Sequence, residues 1–497
     1  MVVGALLLFR IASAVFVVFQ PGYTDAYYYA DVAKRLAAGQ GLTADFVWNF
    51  LEASPGSCVG CGAGFADVVV PSHQFWMPLA TALQAIGIKL LPLFDAFHAA
   101  QAVEIVVACA IPIVAFLAAR TLGASANGAL LAAALAGLGG AFAPGWVSLD
   151  AFAPAAAVGT VFFLCYRRAA AGEVRAGALA GLAVGLLFLA RAEGALFGLP
   201  LLALLLSRRT RGAGSAGSAV ALLVGLGWLA RELSLQGQSD LLARTVLLSR
   251  YDAFFAIYPD RASAAIDQLL LARPVALLTN LVTFAFAFGL LLLPGIARAL
   301  WSRRDRADVR AFAGLLVLVY LVESLLFTLH STRGSYFHSL AAFVPFGVAL
   351  GVVGTAELLR DAGRQRVAAL GGVVAAALIS VFALAQWDDS FNPPYRERSA
   401  VASRIPPGLF MAIDAAAWRW IADRPVVVTP SDSSIGTNCV LSESHVTALV
   451  LEPAHFALYD GLYRGESQAY AAAPDIVGGI RIYRLDPRAL ADRCNVR

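Results

Sequence analysis

The chain has 497 residues, of which 59% are hydrophobic and 14% charged, with a net charge of +4 and a mean hydropathy of +0.72. A soluble globular domain carries about a quarter charged residues, so this composition excludes one and describes a polytopic membrane protein. Lysine occurs only at Lys34 and Lys89; the other cations are arginines in short clusters between apolar runs, which carry topology and exclude a nucleic-acid partner.

The first apolar run, 1–19, contains Ala12-Ser13-Ala14 but stays apolar through Phe19, so it reads as an uncleaved anchor and not a cleaved leader. Arg10 lies in its middle, which means that it faces a helix bundle or that the true start lies upstream. The stretch Pro21 to Gly41 follows and predicts a short helix with Thr24 capping its start, Asp25 and Asp31 in its first two turns, and Gly39 and Gly41 at its end. Carboxylates beside three consecutive tyrosines, Tyr27 to Tyr29, on a membrane boundary suit an active site; a helix-dipole complement with interfacial anchors is the plainer alternative.

Ten further apolar runs follow at 97–119, 127–143, 150–166, 176–190, 194–206, 218–233, 275–298, 311–329, 338–357 and 367–386, giving about eleven transmembrane helices. Arginine clusters at Arg120, Arg167 to Arg175, Arg208 to Arg211, Arg303 to Arg310 and Arg360 to Arg366 mark every second connection as cytoplasmic. That parity makes 176–206 a tight hairpin turning at Arg191-Ala192-Glu193, and 76–91 an interfacial or re-entrant helix. The N-terminus is then cytoplasmic, and the opposite side gathers 20–96, 144–150, the Arg191 turn, 234–274, 330–337 and everything after 387.

From Trp387 the composition turns polar. A helix over 411–423, a strand at Val426 to Thr429, another from Thr447 to Leu451, a helix near 454–464 and a terminal strand or hairpin over Ile476 to Leu485 predict a small extracytoplasmic mixed α/β domain, 387–497, beside a membrane domain, 1–386. Cys109 and Cys165 lie in apolar runs as packing residues, while Cys58 with Cys61 and Cys439 with Cys494 are candidate disulfides if they face outward.

The candidate chemistry gathers on the outward face. Arg191 and Glu193 either bind a ligand or simply pair with each other. His330, Arg333, Tyr336 and His338 crowd an outward turn and suit an anion site, because a guanidinium offers a planar fork to phosphate oxygens. Asp150 closes another outward turn, and His73 with Trp76 either stacks on a sugar or anchors its loop. Glu104 and Glu323, inside spans, call for polar partners such as Arg10. The combination suggests a lipid phosphate leaving with its charge held by Arg191 or Arg333 while Asp25 takes a proton from the attacking hydroxyl. Such chemistry needs no nucleotide, in keeping with the lack of a glycine-rich phosphate loop; a divalent metal is compatible with it but no motif indicates one.

Asp25-Ala26-Tyr27-Tyr28 after the first span, then Leu36-Ala37-Ala38-Gly39-Gln40-Gly41, resembles the type C glycosyltransferases related to protein O-mannosyltransferases and lipid A aminoarabinose transferases. Pro71-Ser72-His73 through Trp76-Met77-Pro78, Ala190-Arg191-Ala192-Glu193-Gly194, and Arg333 to Pro345 follow in the expected order. The resemblance covers roughly 1–390 and implies transfer of a sugar, with inversion, from a polyprenyl-phosphate carrier to a protein, lipid or glycan acceptor at the outer face of the plasma membrane. By position it makes Asp25 the catalytic carboxylate and Arg191 and Arg333 candidates for the carrier phosphate; Tyr28, His73, Trp76, Asp150, Glu193, Tyr336 and His338 complete the candidate substrate contacts. Two departures stand out: the Lys-Pro-Pro of many relatives is replaced by His73 to Pro78, and Ala26 stands where a Glu is frequent. The alternatives are a polyprenyl-lipid transporter or flippase, which predicts internal repeats and broken mid-membrane helices, and a non-catalytic envelope scaffold.

Overall fold

Runs of apolar residues with no water to satisfy their backbone must form helices, and the computed structural model has a helix in each of the eleven runs. It describes residues 2–50, 69–235, 255, 266–431, 434–468, 471–486 and 488–489. Both candidate disulfides involve side chains outside the described residues. The chain divides into two units, one of 1–21, 76–231 and 269–388, the other of 22–75, 232–268 and 389–497.

Among the described residues five helices are long and apolar enough to cross a membrane: Ala96–Thr121, Arg211–Ser234, Asp267–Phe288, Thr328–Leu358 and Ala362–Arg404. The run 275–298 is not one helix as its composition suggests, because Gly289 takes φ 70°, a left-handed conformation that breaks the run before a separate helix Leu293–Ser302. The helix after Trp76, Leu79–Leu90, has 12 residues and is too short to span, in keeping with an interfacial or re-entrant segment. Arg10 is turned inward: it is 2% exposed and Nη2 donates to the carbonyl of Gly137 at 3.4 Å.

Two kinds of contact hold the first unit together. Phe162, Phe163, Phe197, Phe312, Phe343 and Phe346 interlock, with Phe163 and Phe346 centroids 4.8 Å apart and Phe163 and Phe312 edge to face at 5.5 Å. Small residues let backbones touch: Gly177 and Gly181 on Val174–Ala190 lie against Ala213 and Gly217 on Arg211–Ser234, where a Cβ on either glycine would meet the facing carbonyl. Between apolar helices in lipid, such van der Waals contact replaces the hydrophobic effect as the driving force. The outer faces stay apolar, with Leu223, Leu271 and Leu378 exposed, as a lipid-facing surface requires.

The second unit is built on a six-stranded sheet in the order β2-β5-β4-β6-β8-β7: β2 Phe46–Val47, β4 Phe410–Ala412, β5 Val426–Val428, β6 Ala448–Leu451, β7 Asp475–Val477 and β8 Ile480–Arg484. The first four are parallel, with Phe410 opposite Val426 on one side and Ala448 on the other, and β8 and β7 form an antiparallel hairpin around Gly478-Gly479. A separate pair joins β1, Thr43–Ala44, to β3, Val70–Pro71. The unit is therefore larger than residues 387–497, because its sheet takes β2 from the first loop. The helix expected over 411–423 begins only at Ala415, since Phe410 to Ala412 are fully buried between two parallel strands and Asp414 caps the helix by accepting from the Ala417 amide at 3.4 Å.

Replacing Gly181 with Val should force the helices Val174–Ala190 and Arg211–Ser234 apart and cost about 1–3 kcal/mol. Thermal unfolding of the detergent-solubilised protein measures it, with Gly371→Val, where a Cβ meets nothing within 4 Å, as the matched control.

Candidate active site

In the first unit the site begins where a helix stops. Val174–Ala190 ends at Arg191, whose backbone is extended (φ −157°, ψ 139°), and the chain doubles back through the 3-10 turn Ala192–Phe197. Gly194 permits the reversal, because its α-carbon lies against the Leu187 carbonyl where a Cβ would clash. The turn brings the Arg191 guanidinium onto the Glu193 carboxylate through Nε, and Arg191 Nη2 donates to Ser335 Oγ at 3.3 Å. The mutual ion pair weighed from sequence is present. Its carboxylate is shared: Ser339 Oγ lies 2.5 Å from Glu193 Oε1 and 2.9 Å from Glu323 Oε1.

The partner of this turn is the segment 328–343. Its wide turn Ser331–Ser335 leaves helical geometry at Arg333 and at Gly334, whose φ of 114° suits glycine. Arg333 is exposed there, whereas Tyr336 is 1% exposed with its ring edge-on to Tyr320 at 5.8 Å. His338 lies under the Phe152 ring, centroids 4.1 Å apart, and its Nδ1 is 3.6 Å from the Asp150 carboxylate. Asp150 is itself buried, with Oδ1 accepting from the Ala151 amide at 2.5 Å. Arg191 and Glu193 are charged neighbours of His338, so Asp150, Arg191, Glu193, Glu323 and His338 form one polar cluster within the bundle. Trp76 is half-buried just before Leu79–Leu90.

In the second unit the helix Thr24–Ala37 carries Asp25 in its first turn, half-buried. Thr24 does not cap it: Tyr23 holds the cap position, and the Thr24 hydroxyl donates instead to Asp414 Oδ1 at 3.2 Å. Asp414 accepts from Arg398 at 3.1 Å, and Arg398 also forks onto Glu452 at 2.6 and 2.8 Å. At the other end Arg35 reaches Asp45 at 3.2 Å, Arg419 forks onto the same carboxylate at 2.8 and 2.9 Å, and Lys34 lies 3.6 Å from Asp423. Burial alone would raise the Asp45 carboxyl, but Arg419 and Arg35 hold it below its usual value. The Asp25 helix is thus fastened at both ends to the unit built around the C-terminal sheet.

Tyr28 and His73 meet directly in this unit. The His73 amide donates to Tyr28 Oη at 2.6 Å, and the His73 ring stacks on Tyr29 at 6.0 Å and stands edge-on to Tyr28 at 5.3 Å. His73 is 1% exposed with a left-handed φ of 63°, so its ring packs the base of the loop, the anchoring alternative, and offers no face for a sugar to stack on. Burial gives Tyr28 and Tyr336 the same packing character.

Ser335, Ser339, Arg398, Arg419, Asp414 and Glu452 were not singled out from sequence, and Glu323 was noted without a role. The signal for Glu323 was its position as the sole acid of the run 311–329; the serines at 335 and 339 have the spacing that puts two side chains on one helical face.

No protein-family model matches the chain, and no curated protein matches it in sequence. Solved structures do. ArnT from Cupriavidus metallidurans in its apo state aligns over 98% of this chain and 98% of its own with a TM-score of 0.60 at 13% identity. Archaeal oligosaccharyltransferase AglB from Archaeoglobus fulgidus, in complex with an inhibitory peptide and a dolichol-phosphate, aligns over 90% of this chain and 68% of its own, with a TM-score of 0.56 at 12% identity. The chain has the fold of the type C glycosyltransferases. Mycobacterial arabinofuranosyltransferase AftD is similar in the same way, at a TM-score of 0.54 and 14% identity, although 97% of this chain spans only 39% of that one. In this chain that fold combines helices long and apolar enough to cross a membrane with a small sheet built mostly from the C-terminal region.

Asp31, on the same helix as Asp25, is 3% exposed, and its Oδ2 has no hydrogen-bond partner among the described residues. Burial pushes its carboxyl well above the usual range, opposed by Lys34 and Arg419. From about pH 4, where the unfolded aspartate ionises, the folded chain binds more protons here than the unfolded one, so this site lowers stability as pH rises towards the folded-state titration. Asp31→Asn should therefore raise the unfolding temperature at pH 7, by a margin that shrinks as the pH is lowered to 4.

Proposed function

We propose that this protein is an integral-membrane glycosyltransferase that moves a sugar from a polyprenyl-phosphate donor to an acceptor at the outer face of the plasma membrane, with inversion. The observation that carries the reading is the likeness over almost the whole length of both chains to ArnT, which has also been solved bound to undecaprenyl phosphate, at 97% coverage of each chain. AglB with dolichol-phosphate extends the same chemistry to a second neighbour of this fold. The arginine clusters support a cytoplasmic N-terminus and an extracytoplasmic C-terminal region.

In the reaction, the acceptor hydroxyl oxygen forms a bond to the anomeric carbon, the bond from that carbon to the phosphate oxygen breaks, and the polyprenyl phosphate departs with the electron pair. Asp25 takes the hydroxyl proton. Arg333 is the better placed of the two arginines to meet the phosphate, because it is exposed on its turn while Arg191 is largely buried against Glu193 in the bundle. Arg191 then acts by holding the Ser331–Ser335 turn through Ser335. The half-buried ring of Trp76 suits sugar stacking.

Incubating the purified chain with a panel of polyprenyl-phosphate sugars and measuring release of the free lipid phosphate tests the reading; no release with any donor and acceptor pair sinks it. Asp25→Asn should lower turnover by a factor of about 100 or more while leaving donor affinity within a few-fold, since a general base contributes roughly 100- to 10,000-fold. Arg333→Ala should do the reverse, raising the KM for the donor about tenfold or more, the worth of a charged hydrogen bond to phosphate at about 1.5–3 kcal/mol.

A further inference from the structure

The polar cluster behind Arg191 contains more acceptors than its hydroxyl protons can serve. Ser339 Oγ has a single hydrogen, yet it faces Glu193 Oε1 at 2.5 Å, Glu323 Oε1 at 2.9 Å and the Ser335 carbonyl at 3.1 Å. If both glutamates were ionised, two anionic oxygens would compete for that hydrogen, and one would sit within 3 Å of a bare lone pair in a buried site. Glu323 is 3% exposed, and its other oxygen, Oε2, is buried with no hydrogen-bond partner among the described residues. Leaving half a carboxylate charge unsolvated there costs more than leaving the carbonyl oxygen of a neutral acid.

One proton removes every conflict. Arg191 Nη2 donates to Ser335 Oγ at 3.3 Å, Ser335 Oγ–H donates to Glu323 Oε1 at 3.2 Å, a proton on Glu323 Oε1 is donated to Ser339 Oγ, and Ser339 Oγ–H is donated to Glu193 Oε1. Arg191 Nε closes the ring on Glu193. Each hydroxyl and acid proton of the ring then has an acceptor, and the 2.5 Å contact is the short, charge-assisted kind expected for a hydroxyl on a carboxylate.

We propose that Glu323 is a positioning residue that carries one proton on behalf of the Glu193–Glu323 pair, and that this proton closes the ring that fixes Arg191 and the 331–335 turn. Loss of the proton puts a second negative charge beside Glu193, draws Arg191 towards both carboxylates and breaks its link to Ser335. The turn that presents Arg333 is then released, which ties the charge state of this ring to retention of the donor phosphate. The charged and titratable groups that face the pair are Arg191 on its own turn, Tyr336 and His338 from the 336–340 segment, Tyr320 from the helix of Glu323, and Asp150 beyond His338. The proton itself is independent of the transferase reading; its effect on turnover rests on it.

The test separates the two. In infrared spectra of the full chain in lipid nanodiscs without substrate, the wild type should show, above the contribution of other neutral acids such as Asp31, a carboxylic-acid carbonyl component that shifts in D2O and is lost in the Glu323→Gln difference spectrum; an unchanged band intensity in that variant overturns the proposal. The carboxamide of Glu323→Gln reproduces the neutral acid by donating to Ser339, so its lipid-phosphate release at neutral pH should stay within a few-fold of wild type. On raising the pH, wild-type activity should fall by roughly tenfold per unit once the proton leaves, and Glu323→Gln should lack that alkaline limb; a variant that keeps the limb refutes the positioning role. Should Glu323→Gln fail to fold, Ser339→Ala supplies the same reading, because removing the hydroxyl partner shifts the acid band, and an unshifted band counts against the ring.

Discussion

A cation taken out of water has to find its counter-charge close by, and that constraint shapes both halves of this molecule. A carboxylate or guanidinium buried alone costs several kcal/mol, more than most single contacts return. In the bundle Arg10 meets the cost with a backbone carbonyl, whereas at Arg191 the helix breaks so that Glu193 can turn back two positions later. Ser335 and Ser339, one helical turn apart, then carry the interaction to the segment 328–343. The break is therefore part of the site: a continuous helix through residue 191 would point Arg191 and Glu193 away from each other.

The second unit answers the same constraint differently. Two of its arginines, on the helix Ala415–Ala422 and on the long helix before it, each serve two acids: Arg398 joins Asp414 and Glu452, and Arg419 joins Asp45 and Asp423. Through Thr24 at one end and Arg35 at the other, these clusters hold the helix of Asp25. A 14-residue helix has little intrinsic stability of its own. The C-terminal segment, in which no catalytic motif is visible, supplies that stability by packing and charge. Its strand β5 also pairs with β2 from the first loop, so the two stretches fold as one body.

The helices were legible because lipid-facing segments must be continuous and apolar, and the runs in the sequence end where charge begins. Breaks within runs were harder to see. The hairpin at Arg191 showed itself through the arginine parity, whereas Gly289 lies in a run of leucines and phenylalanines with no charge to mark it, so one span was expected where the chain turns. In the polar segment the strand Phe410–Ala412 was absorbed into the following helix, because three apolar residues before an alanine-rich stretch carry no period of their own; only pairing with Val426 and Ala448, distant in sequence, distinguishes them.

The candidate site was legible in the same uneven way. Charged residues at membrane boundaries stand out against an apolar background, so Asp25, Asp150, Arg191, Glu193, Arg333 and His338 were all visible. Which of them face a ligand depends on partners that composition does not reveal. His73 and Tyr336 have the chemistry of binding residues, and in the structure both are also buried against aromatic neighbours. Ser335 and Ser339 have no distinguishing chemistry in a sequence, and yet they decide how charge is shared around Arg191, because a hydroxyl can pass on one hydrogen and accept others. That difference separates the two arginines. Arg191 is surrounded by acceptors of its own and serves as a fixed strut, while Arg333, on a turn that only glycine at 334 permits, is displayed at the surface.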